Sequence, residues 1–223
     1  MHFDEKDQAA KSNATWQKYT KDKWGYMMKS IWISHYHQIN EIAQTNPDSV
    51  LEVGVGIGLC GLVLTHYYDN INYESIDINP DLNPTHLGSV LKMPFADNSF
   101  DTVCCFQVLE HLPFENFEEG LKEIFRVAKN AVVLSLPNAS TIECIKLPKV
   151  KAIRLEKFWK RNRKPACPSH YWEINTKNVP YSVVMQSISN AKPDKWDLYK
   201  NYRIPDMTYH HFFIFKKNSC EGT

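Results

Sequence analysis

The strongest constraint on this chain is a cluster of glycines that directly follows a short apolar segment. The segment is Val50–Val53, and glycines stand at positions 54, 56, 58 and 61, half of the eight in the chain. Val50–Val53 predicts a buried parallel strand, and Leu59–Tyr68 predicts the helix after it. Glycine permits unusual backbone angles and has no Cβ to keep a ligand away. We therefore expect a strand–turn–helix unit that cradles a nucleotide, the alternative being a structural turn that binds nothing.

Two classes of ligand compete for this turn. Residues 56–61 match the G-x-G-x-x-G fingerprint of dinucleotide-binding proteins, and Asp77 lies at the spacing of the ribose-binding acid. Glu52, two residues before the first glycine, favours a different ligand. A carboxylate would repel a pyrophosphate but attract the ammonium and sulfonium groups of S-adenosylmethionine (SAM). With Glu52-x-Gly54-x-Gly56-x-Gly58, the chain resembles the class I SAM-dependent methyltransferases.

Later segments extend this resemblance to roughly residues 48–138. Asn72–Ile78 predicts a second strand. Leu91–Leu112 carries the Met-Pro-Phe, Ser-Phe-Asp and Val-Leu-Glu-His signatures of the small-molecule, methyltransferase type 11-like branch of that family. Leu121–Val127 and Ala131–Asn138 match the helix and the fifth strand that come next.

The resemblance implies an α/β fold, a doubly wound, Rossmann-like sheet of seven mostly parallel strands with a C-terminal antiparallel hairpin. It also implies that Asp77 holds the ribose hydroxyls and that Gln107 lines the methionine end of the pocket. Ser89 stands where many relatives have an Asp for the adenine, and its hydroxyl is a weaker acceptor than a carboxylate. The expected cofactor contacts are Glu52, Gly54, Gly56, Asp77, Ile78, Ser89, Val90 and Gln107.

Hydrophobic periodicity divides the rest of the chain. Residues 1–45 are expected to form an N-terminal helical flap, and residues 46–223 the SAM-binding domain with a basic insert at about 139–172. The predicted helices are Ile31–Thr45, Phe114–Lys129 and Val179–Ser189. Asp101–Phe106 is predicted as the fourth strand, and Lys195–Lys200 and His210–Lys216 as final strands joined by a turn around Pro205.

Composition limits the location and the partners. The 223 residues carry a formal net charge of +1, which gives no overall attraction to nucleic acid or to an anionic membrane. No apolar run has the length of a membrane span, and Met1–Ala10 is too polar and acidic for a signal peptide. The six cysteines lack C-x-x-C spacing, and we expect reduced thiols in a cytoplasmic protein.

One segment is strongly basic, although the net charge of the whole chain is close to zero. Lys146–Lys164 contains nine basic residues and a single acid, Glu156. It could serve as a docking surface for an anionic acceptor, including nucleic acid. The favoured interpretation is a solvated helix face, and a small molecule is the favoured methyl acceptor.

Catalysis requires few side chains, because the sulfonium of SAM is itself a good leaving group. The protein must align the methyl group with a nucleophile and exclude water. His111, which follows Glu110 at the predicted end of the fourth strand, is the candidate general base, with Glu110 beside it. A histidine that only holds the strand-to-helix turn is the alternative.

A metal-dependent mechanism is a second possibility. Glu110 and His111, with His170 further along, are similar to the Glu-x-x-Glu-His and later His of metal-dependent methyltransferases acting on catechol-like compounds or on small-RNA ribose ends. Gln107 replaces the first Glu, which weakens a site for a hard cation, so we expect no metal. His170 and Trp172 are then expected on the substrate side, or in an ordered loop packed on the domain.

The sequence thus predicts a SAM-dependent methyltransferase that modifies oxygen or nitrogen of a small molecule and releases S-adenosylhomocysteine (SAH). Three alternatives stay open: a non-catalytic protein with a SAM fold, an NAD-binding oxidoreductase, and a metal-dependent O-methyltransferase acting on a hydroxyl or an RNA ribose. Retention of Glu52 and Asp77 argues against the first, and Glu52 and the C-terminal hairpin against the second.

Overall fold

Strands and helices alternate along the computed structural model, which describes residues 29–145, 153–157 and 164–218. The helices are α1 (Lys29–Ala43), α2 (Leu59–Tyr67), α3 (Phe117–Val127) and α4 (Tyr181–Ala191). The strands are β1 (Ser49–Val53), β2 (Asn72–Asp77), β3 (His86–Leu87), β4 (Phe100–Phe106), β5 (Ala128–Pro137), β6 (Thr141–Ile145), β7 (Ile153–Lys157), β8 (Trp196–Ile204) and β9 (Met207–Lys217).

Seven of these strands form one sheet in the order β3-β2-β1-β4-β5-β9-β8. The first five in this order run parallel to one another. β9 is antiparallel to β5, and β8 is antiparallel to β9. The predicted α/β, doubly wound, Rossmann-like sheet with a C-terminal antiparallel hairpin is confirmed.

Helices cover both faces of the sheet, because its central strands are apolar on both sides. One core cluster joins residues of α3 and α4 to one face, and the other joins residues of α1 and α2 to the opposite face. Cys104 and Cys105 show the alternation of β4, since they belong to different clusters. Both thiols are completely buried, as the sequence position in a central strand predicts.

Several boundaries differ from the expected ones. The helix expected over Phe114–Lys129 begins with a 3₁₀ turn and ends at Val127. Ala128 has an extended backbone and pairs with Phe100, so β5 begins there. The two C-terminal strands are longer than expected, and Pro205 does lie in the turn between them.

The two flanking segments are described only in part. Within the expected N-terminal flap the structure describes α1, and residues 1–28 lie outside the described residues. Within Lys146–Lys164, the described part Ile153–Lys157 is a strand paired antiparallel with β6, so the helical interpretation is wrong there. The remainder of that segment, up to residue 163, lies outside the described residues. None of the helices in the described ranges is long and apolar enough to cross a bilayer.

Trp172 lies in the core and not on the substrate side of a pocket. Its ring is 2% exposed and packs edge-on against Phe114 and Phe117, with ring centroids 5.0 and 4.9 Å away. Its indole nitrogen donates a hydrogen bond to the carbonyl oxygen of Leu112, at 3.1 Å. Trp172 therefore fits the second of the two expectations for this segment, an ordered loop that packs its aromatic residue on the domain.

Replacing Trp172 with Ala removes this buried ring and should lower the free energy of unfolding by about 3–5 kcal/mol. Leu62→Ala is the control, because Leu62 lies on α2 with 66% of its surface exposed and should cost about 0.5 kcal/mol or less. Urea denaturation measures both values. A Trp172→Ala loss no larger than that of Leu62→Ala would contradict the core position.

Candidate cofactor and acceptor site

A cavity of about 740 Å³ opens at the carboxyl ends of β1, β2 and β4. Open parallel sheets bind ligands at this edge, and the volume lies within the range of small-molecule pockets. The segments that follow the three strands line it, together with one face of α1, the loop at residues 166–170 and the start of β9.

The glycine turn after β1 has a backbone that ordinary side chains disfavour. Gly54, Gly56 and Gly58 have φ angles of 84°, 53° and 70°. A Cβ on Gly54 would lie 2.3 Å from a methyl carbon of Val108, so the turn packs tightly against the segment after β4. A Cβ on Gly56 would meet no atom within 4 Å, and Gly56 lines the cavity. The turn therefore leaves room for a ligand at Gly56.

Glu52 is the residue before the last of β1, and its side chain is almost fully buried next to this turn. The side chain is 4% exposed and accepts a hydrogen bond from the hydroxyl of Tyr73. Burial raises the pKa of Glu52 to about 7, against the opposing hydrogen bonds from Tyr73 and Cys60. Because burial of a carboxylate is costly unless it is paired with a cation, Glu52 is suited to bind a cationic group of a ligand.

Asp77 ends β2 and joins that strand to the glycine turn. One carboxylate oxygen accepts a hydrogen bond from the amide of Val55 and the other from the amide of Asn79, each at 2.9 Å. Burial raises the pKa of Asp77, although these backbone hydrogen bonds oppose the shift. Each oxygen keeps acceptor capacity for a further donor, such as a ribose hydroxyl.

All the expected cofactor contacts line this one cavity: Glu52, Gly54, Gly56, Asp77, Ile78, Ser89, Val90 and Gln107. The hydroxyl of Ser89 already accepts a hydrogen bond from the amide of Leu91, at 3.3 Å. Gln107 has a φ of 57°, which is uncommon outside glycine and can mark a functional position. The backbone amide of Gln107 donates a hydrogen bond to the carbonyl oxygen of Ser135, at 3.0 Å, which fixes the position of this residue after β4.

His111 lies in a 3₁₀ turn after β4 and also lines the cavity. Its Nδ1 donates to the carbonyl oxygen of Ser169, at 3.2 Å, which leaves Nε2 as a lone-pair acceptor. Burial, helped by the nearby His170, lowers the pKa of His111 to about 4. The imidazole is therefore neutral at neutral pH.

Glu110 lies behind the cavity wall and does not line it. Its side chain is fully buried, and neither carboxylate oxygen has a hydrogen-bond partner among the described residues. Burial raises the pKa of Glu110 to about 7. Its nearest ionic neighbour is Nε2 of His170, 3.9 Å away. The predicted catalytic pair is thus divided, because His111 lines the cavity and Glu110 does not.

His170 faces His111 across a ring-centroid distance of 4.8 Å and lines the cavity. Its Nδ1 donates to Glu173 at 3.0 Å, and the hydroxyl of Tyr209 donates to the same oxygen at 2.7 Å. Burial alone would lower the pKa of His170, but contacts with Cys167 and Glu173 and the charge of Glu110 raise it to about 10.

The structure adds lining residues that carried no assigned role in the sequence. α1 contributes Ser34, His35 and Gln38, and β9 contributes Tyr209 and His210. Nδ1 of His210 lies 2.5 Å from the hydroxyl oxygen of Ser34, so a hydrogen bond links the two walls. The adjacent histidines His210 and His211 were a signal of a functional site in the sequence. Local pattern could not show the pairing of β9 with β5, which brings His210 to the cavity.

Glu110, His111 and His170 form the group that could hold a metal ion among the described residues. One ligand atom of each lies within 4.8 Å of the others. Both histidines donate from Nδ1 to another acceptor, so Nε2 is the ring nitrogen that each would offer to a metal. Nε2 of His170 lies 3.9 Å from Glu110, and because the pKa of His170 is raised to about 10 it would have to release a proton to bind a metal. Two imidazoles and a carboxylate suit a divalent transition metal better than Mg²⁺.

Comparison with known proteins agrees with this geometry. Residues 51–136 match a family model described as a methyltransferase domain. A stretch of 42 residues is 48% identical to an uncharacterized protein of Methanocaldococcus jannaschii, and the match spans 19% of this chain and 17% of that protein.

Solved structures share the fold at low sequence identity. Magnesium protoporphyrin IX methyltransferase of Synechocystis, with bound SAH, matches with a TM-score of 0.63 and 12% identity over 97% of this chain and 100% of that chain. A SAM-dependent methyltransferase of Archaeoglobus fulgidus gives 0.58 and 14% over 89% and 99%. The small RNA methyltransferase HEN1 gives 0.61 and 14% over 86% and 26%. Residues 51–136 thus match a methyltransferase domain, and the chain has the fold of these SAM-dependent methyltransferases.

The glycine turn yields a prediction with an internal control. Gly54→Ala should lower the free energy of unfolding by more than about 2 kcal/mol, because the Cβ meets Val108 and the φ is positive. Gly56→Ala has the backbone strain without the clash and should cost only about 1 kcal/mol. Thermal or urea denaturation compares them, and equal losses would show that the contact with Val108 does not constrain the turn.

Proposed function

We propose that the protein transfers the methyl group of SAM to a hydroxyl or nitrogen of a small molecule bound beside His111 and His170. One observation carries the proposal: the same cavity is lined by all the expected cofactor contacts and by both histidines. A group held at the histidines can therefore reach a cofactor that lies on the glycine turn.

The residues present fit SAM. The free space at Gly56 accommodates a ligand next to the backbone, and Asp77 retains acceptor capacity for the ribose hydroxyls. Glu52 offers a buried negative charge to the amino group and the sulfonium. The backbone hydrogen bond from Gln107 to Ser135 supports the assignment of Gln107 to the methionine end, because it holds this residue at the cavity.

SAM supplies an activated methyl group, and the protein's own residues orient the acceptor and handle its proton. His111 is neutral and lines the cavity, and its Nδ1 hydrogen bond leaves Nε2 as an acceptor, so it can accept a hydrogen bond from an acceptor hydroxyl. Its pKa of about 4 makes it a weak base by itself. Glu110, with a pKa of about 7, is better matched to hold a proton at neutral pH, and it lies close behind both histidines.

The shape and charge of the site support a small acceptor. The cavity is a concave pocket with several polar groups on its walls, which suits a small molecule. The net charge of +1 offers no general attraction to nucleic acid. A nucleic-acid acceptor would have to use the basic segment Lys146–Lys164, most of which lies outside the described residues.

The cofactor assignment is tested at Asp77. Asp77→Ala removes acceptors for the ribose hydroxyls and should weaken SAH binding about tenfold or more. Asp197→Ala is the matched control, because Asp197 is an exposed carboxylate on the edge strand β8 and should leave SAH affinity unchanged. Calorimetry measures both. Tight binding of NAD with no binding of SAM or SAH by the wild-type protein would contradict the cofactor assignment.

A second candidate function, metal-dependent O-methylation, is favoured by the convergence of Glu110, His111 and His170. A metal ion would bind the buried oxygens of Glu110, which have no hydrogen-bond partner in the described part of the chain, and the Nε2 atoms of the two histidines once His170 has released its proton. A bound metal would polarise an acceptor hydroxyl and lower its pKa. Gln107 at the position of a further acid argues for the metal-free alternative.

Turnover separates the two candidates once an acceptor is in hand. His111→Ala should reduce methyl transfer roughly 10²–10⁴-fold under either candidate, with SAH affinity retained, because His111 is assigned to the acceptor side. EDTA should leave turnover unchanged if His111 and Glu110 act alone, and should abolish it, with recovery on added Mn²⁺, if a metal takes part. Unchanged turnover of His111→Ala would remove the catalytic assignment.

Metal binding can be measured without an acceptor, by titrating the apoprotein with Mn²⁺ or Zn²⁺ in a calorimeter. The metal-dependent candidate requires a binding event that His170→Ala abolishes. His86→Ala is the control, because His86 pairs with Glu74 at β3 and does not line the cavity. Equal metal binding by the two variants would exclude this cluster as the site.

A further inference from the structure

Tyr73 forms a hydrogen bond with Glu52, one of the residues that line the cavity, and the sequence did not indicate this contact. It lies on β2, four residues before Asp77, so the two side chains point to the same face of the sheet. Its hydroxyl donates to Oε2 of Glu52. Tyr73 does not line the cavity, whereas Glu52 does.

Gly61 makes this contact possible. A Cβ on Gly61 would lie 2.6 Å from carbon atoms of the Tyr73 ring and 2.8 Å from its hydroxyl oxygen. Gly61 itself does not line the cavity, so its role differs from that of Gly54 and Gly56. The last glycine of the cluster therefore admits the Tyr73 ring between α2 and the sheet, and this places the hydroxyl below Glu52.

We propose that Tyr73 is a positioning residue for the cofactor: its hydroxyl fixes Oε2 of Glu52 and so orients the carboxylate to bind the amino group of SAM. The proposal rests on the proposed function, because it assigns Glu52 to that amino group. Tyr73 itself would not touch the ligand and would act through Glu52.

The surroundings of Glu52 explain why one hydroxyl matters. The titratable groups that face it are Tyr73 and Asp77 of β2, Cys60 of α2 and Cys104 of β4, and none of these four is basic. Burial raises the pKa of Glu52 to about 7, the hydrogen bonds from Tyr73 and Cys60 lower it, and the charge of Asp77 raises it. Loss of the Tyr73 hydroxyl would raise this pKa further. A larger fraction of Glu52 would then be protonated at neutral pH, and the amino group of the cofactor would lose its anionic partner.

Tyr73→Phe tests this, because it keeps the ring against Gly61 and removes only the hydroxyl. SAH affinity, measured by calorimetry between pH 6 and 8.5, should fall about tenfold at pH 7. The loss should shrink toward pH 8.5, where Glu52 ionises without help. Tyr202→Phe is the matched control: its hydroxyl donates to the buried Glu41 at 2.9 Å, but neither residue lines the cavity. Its SAH affinity should equal that of the wild type.

Glu52→Gln provides a second measurement that holds even if Tyr73→Phe is less stable. It should bind SAH weakly and with little dependence on pH, and adding Tyr73→Phe to it should cause no further loss. Additive losses, or a Tyr73→Phe loss that is the same at every pH, would show a merely structural role and overturn the proposal. If the wild type fails to bind SAH at any pH, the proposed function fails. If the wild type binds SAH and Tyr73→Phe binds equally well at every pH, only the role of Tyr73 fails.

Discussion

The ends of three strands meet at one point, and the hydrogen bond from the Val55 amide to Asp77 holds two of them together. It ties the glycine turn after β1 to the end of β2, while the close approach of Gly54 to Val108 brings in the segment after β4. The contact of Gly54 needs a positive φ and space that only glycine supplies. The cavity opens beside this point, and the expected cofactor contacts and His111 share its walls.

The sequence predicted the parts of this arrangement that depend on local pattern. The apolar run of β1, the glycines and the apolar face of α3 each identify their element, since packing and periodicity coincide there. The residues that the family resemblance implied as cofactor contacts do line one cavity, because the ends of parallel strands lie at one edge of the sheet. Local pattern could not reveal the positive φ of Gln107. It also could not show that Tyr209 and His210 line the cavity, because their position depends on the pairing of β9 with β5, over 70 residues away in sequence.

Local pattern also left the positions of Trp172 and Glu110 open, for the same reason. The sequence around Trp172 is compatible with a substrate pocket or with the core. The packing of Trp172 against the rings of Phe114 and Phe117 shows that it belongs to the core. Glu110 and His111 are adjacent in sequence but differ in exposure, because the 3₁₀ turn directs one side chain behind the wall and the other into the cavity.

The surroundings of His170 carry an electrostatic cost. Glu110 is fully buried without a hydrogen-bond partner in the described part of the chain, and one oxygen of Glu173 is in the same condition. Unsatisfied buried carboxylates destabilise a fold, so their concentration around His170 indicates a site shaped for a ligand. The neutral His111 and the protonated His170 give this site one acceptor and one cation within a ring-centroid distance of 4.8 Å.

A crystal structure of the protein with SAH tests the central claim most directly, that cofactor and acceptor meet in one cavity between the glycine turn and the histidines. The account predicts the ribose hydroxyls on Asp77, the amino group near Glu52 and the sulfur directed toward the space beside His111. A ligand in a different cavity, or a sulfur that points away from His111 and His170, would contradict it.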